Sequence, residues 1–222
     1  MYKIIKSIYH IVIYIFIIFD YAFADTLKCN YKKNICDKLD KVVGIKTPMM
    51  IASGTIINEN IIVTNRHVVE DHKHFVIKFN NGDIKKAFPL PHNFPADLAL
   101  LSLKKEPYQL NELPKSNKIV GKIRVIAYDQ GRNANRIYDP GKVISFSDFN
   151  KYPQARIHTT AKSLPGNSGG SVVDENGEFI GILASGDGNI NEVIPVSLVN
   201  KIIQNTNLKH EDEFYKIGKY IK

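Results

Sequence analysis

Pro165-Gly166-Asn167-Ser168-Gly169-Gly170-Ser171-Val172-Val173 is the stretch on which the reading of the fold turns. A serine sits among three glycines, and the turn feeds a pair of β-branched residues that favour a buried strand. Asp174-Glu175-Asn176-Gly177 then ends that strand with turn chemistry. The same alternation of short apolar run and turn continues in both directions. Towards the C-terminus, strands are predicted over 171–174, 179–183 and 193–195. Towards the N-terminus they are predicted over 156–159, 143–147 and 123–128, and further back over 98–103, 75–79, 61–65, 49–57 and 42–46. Asn80-Asn81-Gly82-Asp83, Asp139-Pro140-Gly141 and Gly186-Asp187-Gly188 punctuate them. Many short strands with such turns predict an all-β sandwich or barrel. Helical periodicity is weak: one turn after His67 and the stretch 196–204, with Ser197 as its expected cap. A polar segment with two prolines, 104–120, reads as the connection between two halves.

Two further motifs lie in the first half. Ile62-Val63-Thr64-Asn65-Arg66-His67-Val68-Val69 runs an apolar strand straight into a histidine, and Ala96-Asp97-Leu98-Ala99-Leu100-Leu101 opens an apolar strand with an aspartate. Each has a plain structural reading. A lone histidine is ordinarily structural or exposed, an aspartate before a strand is often a turn residue, and glycine-rich turns are common. Together they meet a chemical need. A serine is a poor nucleophile until a base takes its proton. Neutral imidazole does so near neutrality, and a carboxylate must then orient the ring and stabilise the imidazolium. The oxyanion that forms needs backbone N–H donors, and a Gly-x-Ser turn offers those of Gly166 and Ser168.

TNRHVV, ADLALL and PGNSGGSVV, in this order, resemble the motifs of the chymotrypsin-fold (trypsin-like) serine proteases. They are most similar in style to the protease domain of the bacterial high-temperature-requirement (Deg/Htr) proteins. Ser53-Gly54-Thr55-Ile56-Ile57 and Gly181-Ile182-Leu183-Ala184 fit the same pattern, and the resemblance covers residues 40–203. It implies an all-β fold of two packed six-stranded antiparallel β-barrels with the site in the cleft between them, followed by a short C-terminal helix. It implies His67 as general base, Asp97 as orienting carboxylate and Ser168 as nucleophile, with the Gly166 and Ser168 N–H groups as oxyanion hole. Protein or peptide substrates are implied, and no cofactor or metal; the remaining histidines have no metal-ligand spacing.

The departures from that family carry expectations too. Deg/Htr proteins usually carry C-terminal PDZ domains, and the residues after 203 are too few for one, so their oligomeric behaviour is not carried over. Asn167 stands where trypsin keeps the aspartate that pairs with a freed N-terminus, so no switch of that kind is expected. By the same resemblance the S1 pocket falls near Lys162, Ala184, Gly186 and Glu192. Lys162 alone would favour an acidic P1 residue and Glu192 a basic one; paired with each other they would leave it neutral, and both pointing to solvent is the plain reading. Two other readings fit parts of the sequence. Gly166-Asn167-Ser168-Gly169-Gly170 also matches the nucleophile elbow of α/β-hydrolases, with Asp187 and His210 in the right chain order. That elbow needs a helix after the serine, and a strand and turn follow instead. A catalytically inactive homologue acting as a binding module is the alternative from another class, although all three triad residue types are present.

The N-terminus reads as an export address. Lys3 and Lys6 precede an apolar run over 8–19, and Ala22-Phe23-Ala24 forms a small-x-small cleavage signature. The run is short for a spanning helix, which needs about 20 residues. Residues 1–24 are therefore expected to be a signal peptide, 25–40 an N-terminal arm, 41–205 the protease domain and 206–222 a polar basic tail. The destination is the periplasm or the exterior, with no stable membrane insertion after cleavage. In an oxidising compartment Cys29 and Cys36 would close one short disulfide; two cysteines cannot build a four-thiolate zinc site. The 222 residues are 44% hydrophobic and 23% charged, an ordinary globular balance that excludes a wholly disordered chain. The net charge is +8, but the basic residues are scattered, so a solvated surface is expected and no nucleic-acid partner.

Overall fold

The structure is a computed structural model that describes residues 29–70, 72–104, 110–111, 113, 121–148 and 150–206. The chain divides into Met1–Lys32 and Lys33–Lys222, and both barrels lie in the second unit. The residues read as a signal peptide and as a basic tail (207 onward) lie outside the described residues, as does most of the segment 104–120. Cys29 and Cys36 are both disulfide-bonded, and neither is a free thiol.

The first barrel holds β1 (Val42–Lys46), β2 (Ile51–Asn58), β3 (Ile61–Thr64), β4 (Phe75–Lys78), β5 (Ile84–Pro89) and β6 (Ala99–Ser102). Its order is β1-β2-β3-β6-β5-β4, closed by antiparallel pairing of β1 with β4. The second holds β7 (Lys122–Asp129), β8 (Ala134–Ile137), β9 (Gly141–Phe146), β10 (Ile157–Thr159), β11 (Ser171–Asp174), β12 (Phe179–Gly186) and β13 (Asn191–Pro195). There the order β11-β12-β13-β10-β9-β7 is closed by β11 on β7, with β8 attached outside as a hairpin to β7.

The two-residue period of the strands explains how the barrels meet. Ile62 of β3 and Ala99 and Leu101 of β6 point into the first barrel, where they join Val43, Ile45, Phe75 and Ile77. Their neighbours Ile61, Val63 and Leu100 point the other way, into a shared core with Ile182, Ala184 and Ile194 of the second barrel. Strands buried on both faces read as continuous apolar runs, which is why 61–65 and 98–103 were legible. The second barrel has its own core around Ile123, Val125, Ile157, Val172, Ile180 and Val193.

A C-terminal helix, α3 over 196–206, covers the shared core with Leu198, Val199, Ile202 and Ile203, an apolar stripe of helical spacing. It begins one residue before Ser197. The hydroxyl of Ser197 is buried without a partner and does not make the expected cap. Before β1, α1 (Lys33–Cys36) and a 3-10 turn (Leu39–Lys41) lead into the first barrel. Ile35 is buried, and Asn135 Nδ2 donates to the Leu39 and Val42 carbonyls at 2.8 and 2.6 Å, so this part of the arm is packed rather than a loose clip.

Candidate active site

β3 ends at Thr64 and the chain turns into α2 (Arg66–Val69). Val68 and Val69 are buried in the first barrel, which pins this single turn and leaves His67 facing outward. Asp97 lies just ahead of β6, held between Ala96 and Leu98, both fully buried. The pairing of β3 with β6 brings the two motifs together across 30 residues. His67 Nδ1 and Asp97 Oδ2 are 2.9 Å apart, and the His67 backbone N–H donates to Asp97 Oδ1 at 3.1 Å. The carboxylate thus grips the ring and the backbone of the same residue. The Asp97 hydrogen bond holds the His67 imidazole above its ordinary value, against the opposing pull of burial. Burial pushes the Asp97 carboxyl up, but the two His67 hydrogen bonds and the His67 and Arg156 charges outweigh it and hold the group below the usual range.

Ser168 comes from the other barrel. The turn before it closes by Asn167 N–H to the Leu164 carbonyl at 3.1 Å. Asn167 is buried; its Oδ1 accepts the Leu164 N–H at 2.7 Å, and its Nδ2 donates to the Tyr128 carbonyl at 3.0 Å. Gly166 and Gly169 have φ of +89° and +86°, in the left-handed region that side chains disfavour. Among the described residues neither the Gly166 nor the Ser168 N–H donates to the protein. The Ser168 hydroxyl donates to the Ala184 carbonyl at 3.0 Å, and no hydrogen bond joins it to His67. Both residues line one cleft of about 480 Å³, with Ser163, Leu164, Pro165, Gly166 and residues 183–188.

Two residues that sequence reasoning did not single out organise this geometry. Ser53 of β2 spends all of its polar groups. Its N–H donates to the Ser168 carbonyl (2.8 Å), its carbonyl accepts the Thr64 hydroxyl (2.8 Å), and its own hydroxyl bonds the Gly166 carbonyl (3.2 Å) and the Tyr128 N–H (3.0 Å). No local pattern marks such a residue. Asn65 is the other: it is fully buried and its Nδ2 donates to the Asp97 carbonyl at 3.1 Å. Among the described residues its Oδ1 accepts no bond.

Of the four S1 candidates, Ala184 and Gly186 line the cleft, whereas Lys162 and Glu192 are not among its lining residues. Lys162 is exposed. Glu192 does not pair with it: its carboxylate accepts the Ser185 hydroxyl at 3.1 Å and lies 3.6 Å from His158 Nε2 and 3.9 Å from Arg156 Nε. Behind Gly186 sits the buried Asn191, whose Oδ1 accepts the Ser163 hydroxyl at 2.8 Å. Among the described residues no group of three His, Cys, Asp or Glu side chains is placed to hold a metal ion. None of the described helices is long and apolar enough to cross a membrane.

A model of the trypsin-like peptidase domain matches residues 52–182, from β2 through the nucleophile turn into β12. The chain belongs to that family. Among the relatives it is similar to is a Staphylococcus aureus "serine protease HtrA-like" protein, 28% identical over 180 residues. That match covers 72% of this chain and 23% of the relative, so the chain spans about a quarter of the length of the curated relatives it matches. Among solved structures, the HtrA-type protease AlgW with a tripeptide is 27% identical at a TM-score of 0.63, covering 77% of this chain and 62% of that one. An inactive form of Rv3671c from M. tuberculosis H37Rv shares the fold, with a TM-score of 0.65 at 18% identity, over 83% of this chain and 94% of the other.

Proposed function

We propose that this chain is an exported endopeptidase that cleaves protein or peptide substrates through an acyl-enzyme. His67 acts as general base, Asp97 as its orienting carboxylate and Ser168 as nucleophile. The observation that carries this reading is the 2.9 Å contact of His67 Nδ1 with Asp97, made at the edge of the same cleft that Ser168 lines from the other barrel.

With Nδ1–H given to Asp97, the His67 ring offers Nε2 as acceptor, which is the tautomer a general base needs. Ser168 Oγ must leave the Ala184 carbonyl to reach it. The hydroxyl can turn about its side-chain torsion, and catalytic hydrogen bonds commonly tighten only when substrate is bound. Oγ then attacks the scissile carbonyl carbon as its proton passes to His67. The oxyanion is received by the Gly166 and Ser168 N–H groups, which make no other bond among the described residues. His67 returns the proton to the departing amine, leaving an acyl-Ser168 ester. Water, deprotonated by the same imidazole, hydrolyses the ester and restores the serine. Asp97, held below the usual carboxylate range, stays ionised throughout and stabilises the imidazolium. Export is read from the basic, apolar and small-x-small segments ahead of Asp25, and the disulfide-bonded cysteines agree with an oxidising destination.

The test is a serine-directed phosphonate applied to the purified protein, followed by intact mass. One adduct on the parent chain is expected, and none on Ser168→Ala. Ser168→Ala and His67→Ala should each lower kcat by roughly 10⁴ to 10⁶ while remaining folded. Near-normal turnover by Ser168→Ala would rule the assignment out.

A further inference from the structure

We infer that Asn65 is a positioning residue, whose side-chain amide straps the Asp97 backbone so that both carboxylate oxygens are presented to His67. The inference deepens the proposed mechanism and rests on its assignment of His67 and Asp97.

Asn65 occupies the N-cap position of α2, with extended φ and ψ of −83° and 152°. An asparagine there normally turns its side-chain oxygen onto the N–H groups of the first helical turn. Here it makes no such bond. The N–H of His67, the second residue of the turn, is taken by Asp97 Oδ1 instead, and Asn65 reaches in the opposite sense to donate Nδ2 to the Asp97 carbonyl. The two residues have exchanged roles: the aspartate caps the turn that carries the histidine, and the asparagine ties down the aspartate.

The orientation of the amide follows from chemistry. Only its NH₂ end can face a carbonyl oxygen, so Oδ1 is directed into the protein, where it is buried and accepts no bond from the described residues. A capping bond from Oδ1 and a strap from Nδ2 cannot both be made in this geometry, and the strap is the one observed. Asp97 precedes β6 and so lacks the sheet bonds that begin at Ala99. Among the described residues, its carbonyl accepts no bond other than that of Asn65. The strap therefore ties the backbone of Asp97 to the residue that opens α2, in addition to the carboxylate bonds to His67 and the Arg66 guanidinium bond to the Phe94 carbonyl. Two charged neighbours also bear on the pair, Arg156 on Asp97 and Glu70 on His67, and neither bonds the Asp97 backbone.

Asn65→Leu tests this. The substitution keeps the shape of the side chain and removes the unpaired Oδ1, while leaving the Asp97 carbonyl unpaired in its place. A fully buried acceptor is removed and a part-buried one is left unpaired, so the melting temperature should move little. The reacting geometry should suffer more. With kcat normalised to phosphonate-titrated sites, a fall of roughly ten- to a hundredfold is expected, with KM within about twofold. The acid limb of the pH–kcat/KM profile should shift downward, because a looser Asp97 supports the His67 imidazolium less well. Asn65→Ser, smaller and unable to span the gap, should reproduce the kcat loss and the shift, and carries the test if the leucine variant does not fold.

A purely structural role would lower the melting temperature while leaving kcat per titrated site and the acid limb unmoved; that result would overturn the inference. His67→Ala belongs in the same series. If it is inactive while both Asn65 variants behave as the parent, only the role of Asn65 is wrong. If His67→Ala retains turnover, the triad assignment itself falls.

Discussion

Gly169→Ala puts the docking of the nucleophile turn on the first barrel to a quantitative test. Gly169 has φ +86°, and a Cβ added there would lie 2.0 Å from the Ser53 carbonyl oxygen and 2.3 Å from Thr64 Oγ1. Neither neighbour is the free end of a flexible chain. The Ser53 carbonyl belongs to β2, and the Thr64 hydroxyl is already bonded to it at 2.8 Å. The turn must therefore move away, weakening the bonds of Ser53 N–H to Ser168 O, Gly169 N–H to Leu183 O and Thr55 Oγ1 to Gly169 O. An alanine in the left-handed region costs about 1–2 kcal/mol. Overpacking adds about 1–3 kcal/mol, and two bonds lost of the three about 1 kcal/mol each. The expected loss is roughly 4–7 kcal/mol, a melting temperature lower by roughly 8–28 °C. Gly82→Ala is the control: φ is +89° but nothing lies within 4 Å of the added atom, so only the backbone contribution of about 1–2 kcal/mol should appear. Urea and thermal melts of both variants give the difference, and phosphonate titration with kcat on the folded fraction gives the effect on Ser168. A shift of about 1 Å in Ser168 should lower kcat by roughly a hundredfold. If Gly169→Ala costs no more than Gly82→Ala and keeps its turnover, the turn is not held against β2 as described.

The pH dependence has two opposite signs. Because His67 is raised, kcat/KM should climb with unit slope through an apparent pKa above the ordinary 6.5 and then level off. The stability that the raised His67 contributes is fully present below its unfolded value and is lost as pH rises through the folded one. That of the lowered Asp97 is present above its unfolded value and lost as pH falls through the folded one. Urea melts should therefore find His67→Ala more destabilising near about pH 5.5 than near about pH 8.5. Asn167→Asp keeps the acceptor for Leu164 N–H but turns a buried charge onto the Tyr128 carbonyl; a loss of about 3 kcal/mol is expected, larger at pH 8 than at pH 5 by denaturant titration. A chain beginning at Lys41 loses the burial of Ile35 and the Leu39 carbonyl bond, so it should melt at least about 2–3 kcal/mol earlier by circular dichroism, while its folded molecules keep kcat/KM within about tenfold.

The strands buried on both faces were legible because β3 and β6 divide alternate residues between two cores, which leaves no polar positions to blur the run. The two strands not foreseen are of another kind. In β5 only Ala87 is buried, and in β8 only Ile137; apolar residues such as Ile84 stand exposed beside lysines, and Asn135 and Arg136 are half-buried, so the period of two disappears. The 179–183 run continues in the structure to Gly186, since pairing with β13 carries small and polar residues along the cleft wall. His67, Asp97 and Ser168 were legible as residues whose chemistry needs one another; in the structure His67 and Ser168 line one cleft, and Asp97 lies 2.9 Å from His67 Nδ1. The partners of Glu192 were not. Arg156, His158 and Ser185 reach it from separate strands and a loop, and spacing within a strand carries no information about such a meeting. Asn65 lay in view beside His67, but its residue type signals a cap, and only the placement of Asp97 shows that it does something else.

Ser53 ties four places at once: the end of β3, the start of the Tyr128 hairpin, and the residues on either side of Asn167. It contributes nothing to bond making, yet a molecule in which the two barrels drift apart releases the carbonyls of Gly166 and Ser168 together, and with them the direction of the neighbouring N–H groups. Under the proposed mechanism, cleavage is thereby conditional on the whole tertiary structure. A partly opened molecule would be inert rather than indiscriminate, and neither barrel produced alone would cleave anything.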